Sequence, residues 1–143
     1  MKLLTLFILF SFSSSALSCP NLLGTWVSSK DKSMSYNNLA GLKQNQLDLL
    51  NQILGYTTIT YTETEVKHHK LPPVKVLYNS NETELTFIEM EIPYKVDSCG
   101  KDSISFLTED NTVSTLNFVD KDTYWVSSKE VLPNSREYFV RNN

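Results

Sequence analysis

The sequence predicts a mainly β, single-domain protein whose strands form an antiparallel up-and-down β-barrel, with one amphipathic helix between the first two strands. Short runs rich in Thr, Ile, Val, Tyr and Phe follow one another from about residue 57 onward, separated by polar turns. Each separation is short enough for an antiparallel hairpin. A row of about seven or eight strands leaves two edges to be paired or covered, and closure into a barrel does this most simply. A partly open sheet packed on the helix is the alternative.

The first 18 residues have the layout of a secretory signal. Lys2 precedes an apolar run from Leu3 to Phe12, and a serine-rich stretch with small residues follows. The run is shorter than the roughly 20 residues that a helix needs to cross a bilayer. We therefore expect residues 1–18 to be a signal peptide that is removed, leaving one domain over residues 19–143 and no transmembrane segment.

The residues before Cys19 allow two interpretations. Ala16 and Ser18 suit cleavage by a signal peptidase, which would release a periplasmic or secreted protein that begins at Cys19. The same residues also resemble a bacterial lipoprotein box, in which the cysteine is acylated and anchors the protein to a membrane. The mature chain has two cysteines, and in an oxidising compartment one disulfide between Cys19 and Cys99 uses both. Cysteine parity favours the disulfide, and membrane association follows only if Cys19 is acylated.

The start of the mature chain predicts one strand and, after a polar stretch, one helix. The strand runs from Leu22 to Val27 and contains Trp26. Apolar residues at helical spacing then predict an amphipathic helix of roughly 13 residues, which Gly55 ends. The apolar stripe of this helix consists of Leu42, Leu47, Leu49, Leu50, Ile53 and Leu54. The helix serves either as a lid over a pocket or as a packing helix.

The predicted strands after this helix cover about 57–64, 74–79, 83–96, 103–108, 112–119, 123–128 and 136–141. Apolar residues at every second position place one set of side chains on the inner face of the sheet. The inner-face residues expected to contact a ligand are Tyr61, Leu77, Ile88, Met90, Tyr94, Phe106 and Phe118. Further inward candidates are Ile59, Ile92 and Leu116. No charged side chain stands out on this face.

Three short motifs resemble the signature regions of the lipocalins and their calycin relatives. They are Gly24-Thr25-Trp26 on the first strand, the segment from Phe118 to Val126 near a late hairpin, and Arg141 on the last strand. In that family the tryptophan closes the barrel floor and a late arginine packs over its ring. The resemblance implies a structural cation–π contact between Trp26 and Arg141, and an apolar or amphipathic ligand inside the barrel.

Composition and motifs exclude several other functions. Of 13 basic residues only Lys2 precedes Cys19, so 12 basic side chains face 16 acidic ones in the mature chain. That balance provides no electrostatic reason to bind nucleic acid. The four glycines are scattered, so neither a phosphate-binding loop nor a nucleophile elbow is present. We expect no catalytic residue and no cofactor.

Two pairs of titratable residues are expected to have no metal-binding or catalytic role. His68 and His69 would face opposite sides of a strand and could not share a metal ion, so we expect them in a surface turn and no metal site. Glu89 and Glu91 lie on one face of a predicted strand, away from the apolar residues, and are expected to be solvated.

The sequence therefore predicts an exported, non-enzymatic binding protein for a small apolar or amphipathic molecule. The alternative is a barrel filled by its own side chains that acts as an envelope-associated protein-binding or inhibitor module.

Overall fold

The computed structural model describes residues 18–127 and 132–143, which form a closed antiparallel barrel, a separate hairpin and two helices. The strands are β1 (Gly24–Ser28), β2 (Thr58–Tyr61), β3 (Glu65–His68), β4 (Leu71–Tyr78), β5 (Asn81–Phe87), β6 (Met90–Cys99), β7 (Ser103–Thr108), β8 (Val113–Asp120), β9 (Thr123–Ser127) and β10 (Arg136–Arg141). The helices, α1 (Lys30–Asn37) and α2 (Gln44–Ile53), both lie between β1 and β2. The predicted signal segment, except Ser18, falls outside the described residues.

Eight strands close the barrel in the order β1, β10, β9, β8, β7, β6, β3, β2. β1 completes the ring because it pairs with β10 on one side and with β2 on the other. Trp26 lies opposite Arg141 in the first pair and opposite Ile59 in the second. Every barrel strand thus has two antiparallel partners, which removes the unpaired edges of an open sheet. The predicted barrel is confirmed.

The hairpin β4–β5 stands outside the barrel. The sequence predicts one strand over 83–96, but Ile88 and Glu89 separate β5 from β6. Residues 87–90 contain no Gly, Pro, Asn or Asp, so no turn residue in the sequence reveals that the first half pairs only with β4. Asn79 and Ser80 both have positive φ, as the central residues of a type I′ turn require.

The predicted strand over 57–64 is also divided. β2 ends at Tyr61, and the Thr62 hydroxyl accepts the Glu65 backbone N–H at 3.0 Å in the turn that starts β3. β3 then pairs with β2 and β6 and so fills a place in the ring.

α1 is a second helix, in a stretch that the sequence predicts only as polar. Its N-cap is Ser29, whose hydroxyl accepts a backbone N–H of the first turn at 3.4 Å. Hydrogen bonds to β10 hold the helix in place. The Asn37 amide donates to the Arg136 carbonyl at 2.8 Å and accepts the Arg136 N–H at 3.0 Å, while the Ser33 hydroxyl accepts the Tyr138 N–H at 2.8 Å. Hydrophobic spacing contains no signal for such a helix.

α2 occupies the stretch for which the apolar stripe predicts a helix. Leu50 and Leu54 are buried with Leu132, and this small core lies apart from the barrel interior. The neighbours of α2 among the described elements are β4 and α1. Of the two roles open from the sequence, α2 has that of a packing helix.

The two ends of the barrel differ. The floor contains the start of β1, the turns β2–β3, β6–β7 and β8–β9, and the end of β10. The mouth contains the end of β1, both helices, the hairpin β4–β5, the connection β7–β8, the end of β9 and the start of β10.

The predicted disulfide between Cys19 and Cys99 is confirmed, and it links the segment before β1 to the end of β6 at the floor, with the two Cα atoms 5.5 Å apart. A cysteine in a disulfide has no free thiol to acylate, so this bond argues against a lipid anchor on Cys19. Neither helix of the described chain has the length and apolar character needed to span a membrane.

Candidate functional site

The floor of the barrel is built around Trp26, whose side chain is fully buried. Tyr124 and Phe118 pack against the indole with ring centroids 4.8 and 5.9 Å away. The indole N–H donates to the Leu22 carbonyl at 2.8 Å, so the one polar atom of the ring is satisfied. Aromatic rings therefore fill this end of the barrel.

Arg141 closes the floor from below. Its guanidinium lies 4.2 Å from the Trp26 ring centroid, in the contact that the resemblance implies. The same group donates to the carbonyls of Leu23 and Asn21, at 2.6 and 2.7 Å, and to the Asp122 carboxylate at 3.1 Å. One side chain thus joins the amino-terminal segment and the β8–β9 turn to the indole.

A second aromatic layer lies above the floor. The Tyr61 ring packs edge-on against Phe106 at 6.1 Å, and Tyr124 stacks on Phe139 at 5.1 Å. The hydroxyl oxygens of Tyr61 and Tyr124 are 3.5 Å apart. Burial raises the pKa of Tyr61 to about 12 and also raises the pKa of Tyr124, so both phenols are neutral. This layer presents flat, uncharged rings toward the mouth.

A cavity opens between this layer and the mouth. The volume of the whole cavity is about 1320 Å³, and its walls include outer-face residues of β8, β9 and β10. We call the part of the cavity that lies inside the barrel the chamber. The inward-facing residues that line it are Thr57, Ile59, Tyr61, Val66, His68, Ile92, Phe106, Ser114, Leu116, Tyr124, Val126, Glu137 and Phe139. This lining is aromatic and aliphatic below and more polar toward the mouth, as in sites for amphipathic small molecules.

Glu137 is a carboxylic acid inside the barrel. Glu137, Phe139 and Arg141 occupy every second position of β10 and therefore share one face of the strand. The side chains of Phe139 and Arg141 point inward, so that of Glu137 does as well. The Ser28 hydroxyl donates to Glu137 Oε1 at 2.6 Å and itself accepts the Gly55 N–H at 3.0 Å. Burial raises the pKa of Glu137, and the Ser28 hydrogen bond opposes that rise less strongly.

His68 is the second titratable side chain of the chamber. It is the last residue of β3 and lines the cavity, whereas His69 lies beyond the strand end and its Nε2 bonds the Thr60 hydroxyl at 2.8 Å. Burial, and then the charge of His69, lower the pKa of His68, so its imidazole is neutral at pH 7. The expectation of a surface turn is wrong for His68, because β3 extends to that residue.

The structure separates the predicted ligand contacts into three groups. Tyr61 and Phe106 line the cavity. Tyr94 and Phe118 are buried in the core, outside the cavity lining, and the Tyr94 hydroxyl donates to the Thr62 carbonyl at 2.6 Å.

The remaining predicted contacts are exposed and do not line the cavity. Leu77 lies on the hairpin and is 56 % exposed, Ile88 lies between β5 and β6 and is 63 % exposed, and Met90 begins β6 and is 41 % exposed. The inward assignment is wrong for Leu77, because β4 pairs only with β5 outside the ring, and for Ile88, which lies in the break between β5 and β6. Met90 keeps the alternation of Ile92 and Tyr94 but is exposed at the mouth end of β6.

Glu89 and Glu91 are on the surface, as the sequence predicts. Lys67 Nζ lies 3.1 Å from one carboxylate and 3.2 Å from the other, and both carboxylates are more than half exposed. They form a solvated ion cluster on the outer wall.

Glu137 is the functional candidate that sequence reasoning missed, and it corrects the expectation of an interior without a notable charge. The sequence contains a signal for the inward position of Glu137. Arg141 is predicted to point inward, and every second residue of a strand faces the same side, so Glu137 belongs to the same face. His68 had no such signal, since β3 itself was not predicted.

No group of three or more His, Cys, Asp or Glu residues within the described ranges is placed to hold a metal ion. Comparison with protein-family models, curated proteins and solved structures finds no match for this chain.

Proposed function

We propose that this protein is an exported, lipocalin-like, non-enzymatic binding protein that holds one small apolar or amphipathic molecule in the upper half of its barrel. The observation that carries this proposal is the chamber that opens to the mouth above the layer of Tyr61, Phe106 and Phe139. Apolar walls with a few polar groups favour a molecule with a flat apolar body.

The floor supports the same proposal. Trp26 and Arg141 occupy the places that the lipocalin resemblance implies, on paired strands that close the ring. Among the residues that the structure describes, the floor is packed and the mouth is the side from which a ligand can enter. The Cys19–Cys99 disulfide suits an oxidising compartment, which supports export.

The alternative is a protein-binding or inhibitor module with a filled barrel, in which the chamber admits no ligand. The two proposals differ in one measurable property: a small apolar probe reaches the interior only in the first.

The test uses the neutral dye N-phenyl-1-naphthylamine, whose fluorescence rises in apolar surroundings. Val126→Trp places an indole inside the chamber, since Val126 packs against the core and lines the cavity. Val119→Trp is the matched control, because Val119 is 63 % exposed and lies outside the cavity lining. Circular dichroism verifies folding, and Ser114→Trp replaces Val126→Trp if the latter does not fold.

We expect saturable dye binding to the wild type, weakened at least about tenfold by Val126→Trp and unchanged by Val119→Trp. Mass spectrometry of organic extracts of protein purified from its own source would then identify a retained molecule. Absence of dye binding, or equal weakening by both variants, would reject the carrier function in favour of the filled barrel.

A further inference from the structure

We infer that the ligand is an amphipathic amine whose protonated nitrogen binds Glu137 and whose apolar body lies on the aromatic layer of Tyr61, Phe106 and Phe139. This inference rests on the proposed function and specifies the chemical class of its ligand.

The position of Glu137 is the first step. Its neighbour across the β9–β10 pair is Val126, which packs against the core, and Phe139 lies two residues further along the same face. The carboxyl group is therefore near the mouth, one strand period above the aromatic layer. A ligand that rests on these rings has one end at Glu137.

The hydrogen bonds of the carboxyl group are the second step. Because the Ser28 oxygen accepts the Gly55 N–H, its own proton is directed at Glu137 Oε1. The separation of 2.6 Å lies within the range of a hydroxyl hydrogen bond to a carboxyl oxygen. Oε2 has no donor among the described residues, so one lone-pair-rich oxygen is left for a ligand in the chamber.

The third step concerns the positive charge that would balance the Glu137 carboxylate. No ion pair within residues 18–127 and 132–143 includes Glu137. Arg136 points to the opposite face, where its guanidinium lies between the rings of Trp125 and Tyr36 at 3.6 and 4.1 Å. His68, the one base among the inward-facing residues described in the cavity lining, is held neutral by burial. An interior carboxylate without a counter-ion is unfavourable, and a cationic ligand relieves that penalty.

The groups around Glu137 favour a positively charged ligand over a negatively charged one. An ammonium group supplies both the positive charge and the donors that Oε2 lacks, whereas a ligand carboxylate would be repelled by Glu137 and by Asp110 at the rim. The rings of Tyr61 and Phe106 add an apolar surface for the body of the ligand.

The test compares three ligands that share one naphthalene ring: 2-(1-naphthyl)ethylamine, 2-(1-naphthyl)ethanol and 1-naphthylacetate. Their affinities are measured at pH 7.5 by displacement of N-phenyl-1-naphthylamine from the wild type, Glu137→Gln and Glu91→Gln. Glu91→Gln removes a carboxylate from the outer wall and so matches the change in net charge. All measurements are repeated in the Lys129→Gln background, so that a lysine from the segment outside the described residues cannot substitute for the ligand's ammonium group.

We expect the wild type to bind the amine about 10- to 100-fold more tightly than the alcohol, and the acetate most weakly. Glu137→Gln should abolish this preference, whereas Glu91→Gln should preserve it. Equal affinities for amine and alcohol, or a preference that survives Glu137→Gln, would overturn the inference and leave the proposed function intact. If the dye binds none of the proteins, both fail. Should Glu137→Gln not fold, the ligand series on the wild type alone decides the matter.

Discussion

Replacement of Trp26 by Ala tests whether the indole supports the barrel floor. The side chain is fully buried between Tyr124, Phe118 and the Arg141 guanidinium, so its removal leaves a cavity that these neighbours can fill only in part. Large-to-small changes of buried aromatic residues cost about 3–5 kcal/mol in the free energy of unfolding.

Two specific contacts place Trp26→Ala near the top of that range. The substitution leaves the Leu22 carbonyl without its indole donor, which costs about 1 kcal/mol. It also removes the cation–π contact with Arg141, worth about 1 kcal/mol or more in a desolvated place. We expect a total loss of about 5 kcal/mol, a large part of the stability of an ordinary domain.

The assay is urea denaturation of the disulfide-bonded protein followed by far-UV circular dichroism, because the substitution itself removes one of the two tryptophans. Trimethylamine N-oxide, added equally to all samples, restores a native baseline if the variant is too unstable. Trp125→Ala is the control, since that ring is only partly buried on the outer wall, and we expect it to lose about 1–2 kcal/mol.

A double-mutant cycle of Trp26→Ala with Arg141→Met isolates the contact between the two side chains. We expect a coupling energy of about 1 kcal/mol. A loss below about 1 kcal/mol for Trp26→Ala, or a coupling near zero, would refute the description of the floor.

Three further predictions concern other parts of the fold. Asn37→Ala should cost about 2 kcal/mol in urea denaturation, because it leaves both backbone groups of Arg136 without their partners; Asn37→Asp should retain the acceptor and cost less. Replacing Cys19 and Cys99 together by Ser should cost about 4 kcal/mol, since the bond closes a loop with a sequence separation of 80, and a loss under about 1 kcal/mol would contradict the chain-entropy argument. Burial raises the pKa of Glu137 above its ordinary value of 4.5, so this group stabilises the native state at low pH and that contribution is lost as the pH rises through the raised pKa. Glu137→Gln should therefore unfold at a higher temperature than the wild type at pH 7 but show no such gain at pH 4, and a gain that is independent of pH would contradict this reasoning.

The alternation of apolar and polar residues along the sequence predicted much of the barrel. Residues such as Tyr61, Phe106 and Phe118 lie inside because a strand exposes every second side chain to the same face. The contact between Trp26 and Arg141 came from a family resemblance, and the disulfide came from cysteine parity.

The candidate site was harder to predict, because a period of two says which residues share a face but not where a strand stops or which strand it pairs with. Leu77 therefore lies on a hairpin outside the ring, Ile88 lies in the break between β5 and β6, and Met90 is exposed at the first position of β6. α1 depends on hydrogen bonds between Asn37 and a residue 99 positions later, which no local window contains.

The sequence by itself determined that this chain is an antiparallel β protein with an apolar inner face, since that follows from side-chain size and local alternation. Only the tertiary structure decided which strands share the ring and which side chains reach its open end. Glu137 becomes an interior carboxylate because closure brings β10 beside β1 and Ser28, which are separated by more than 100 residues in the chain.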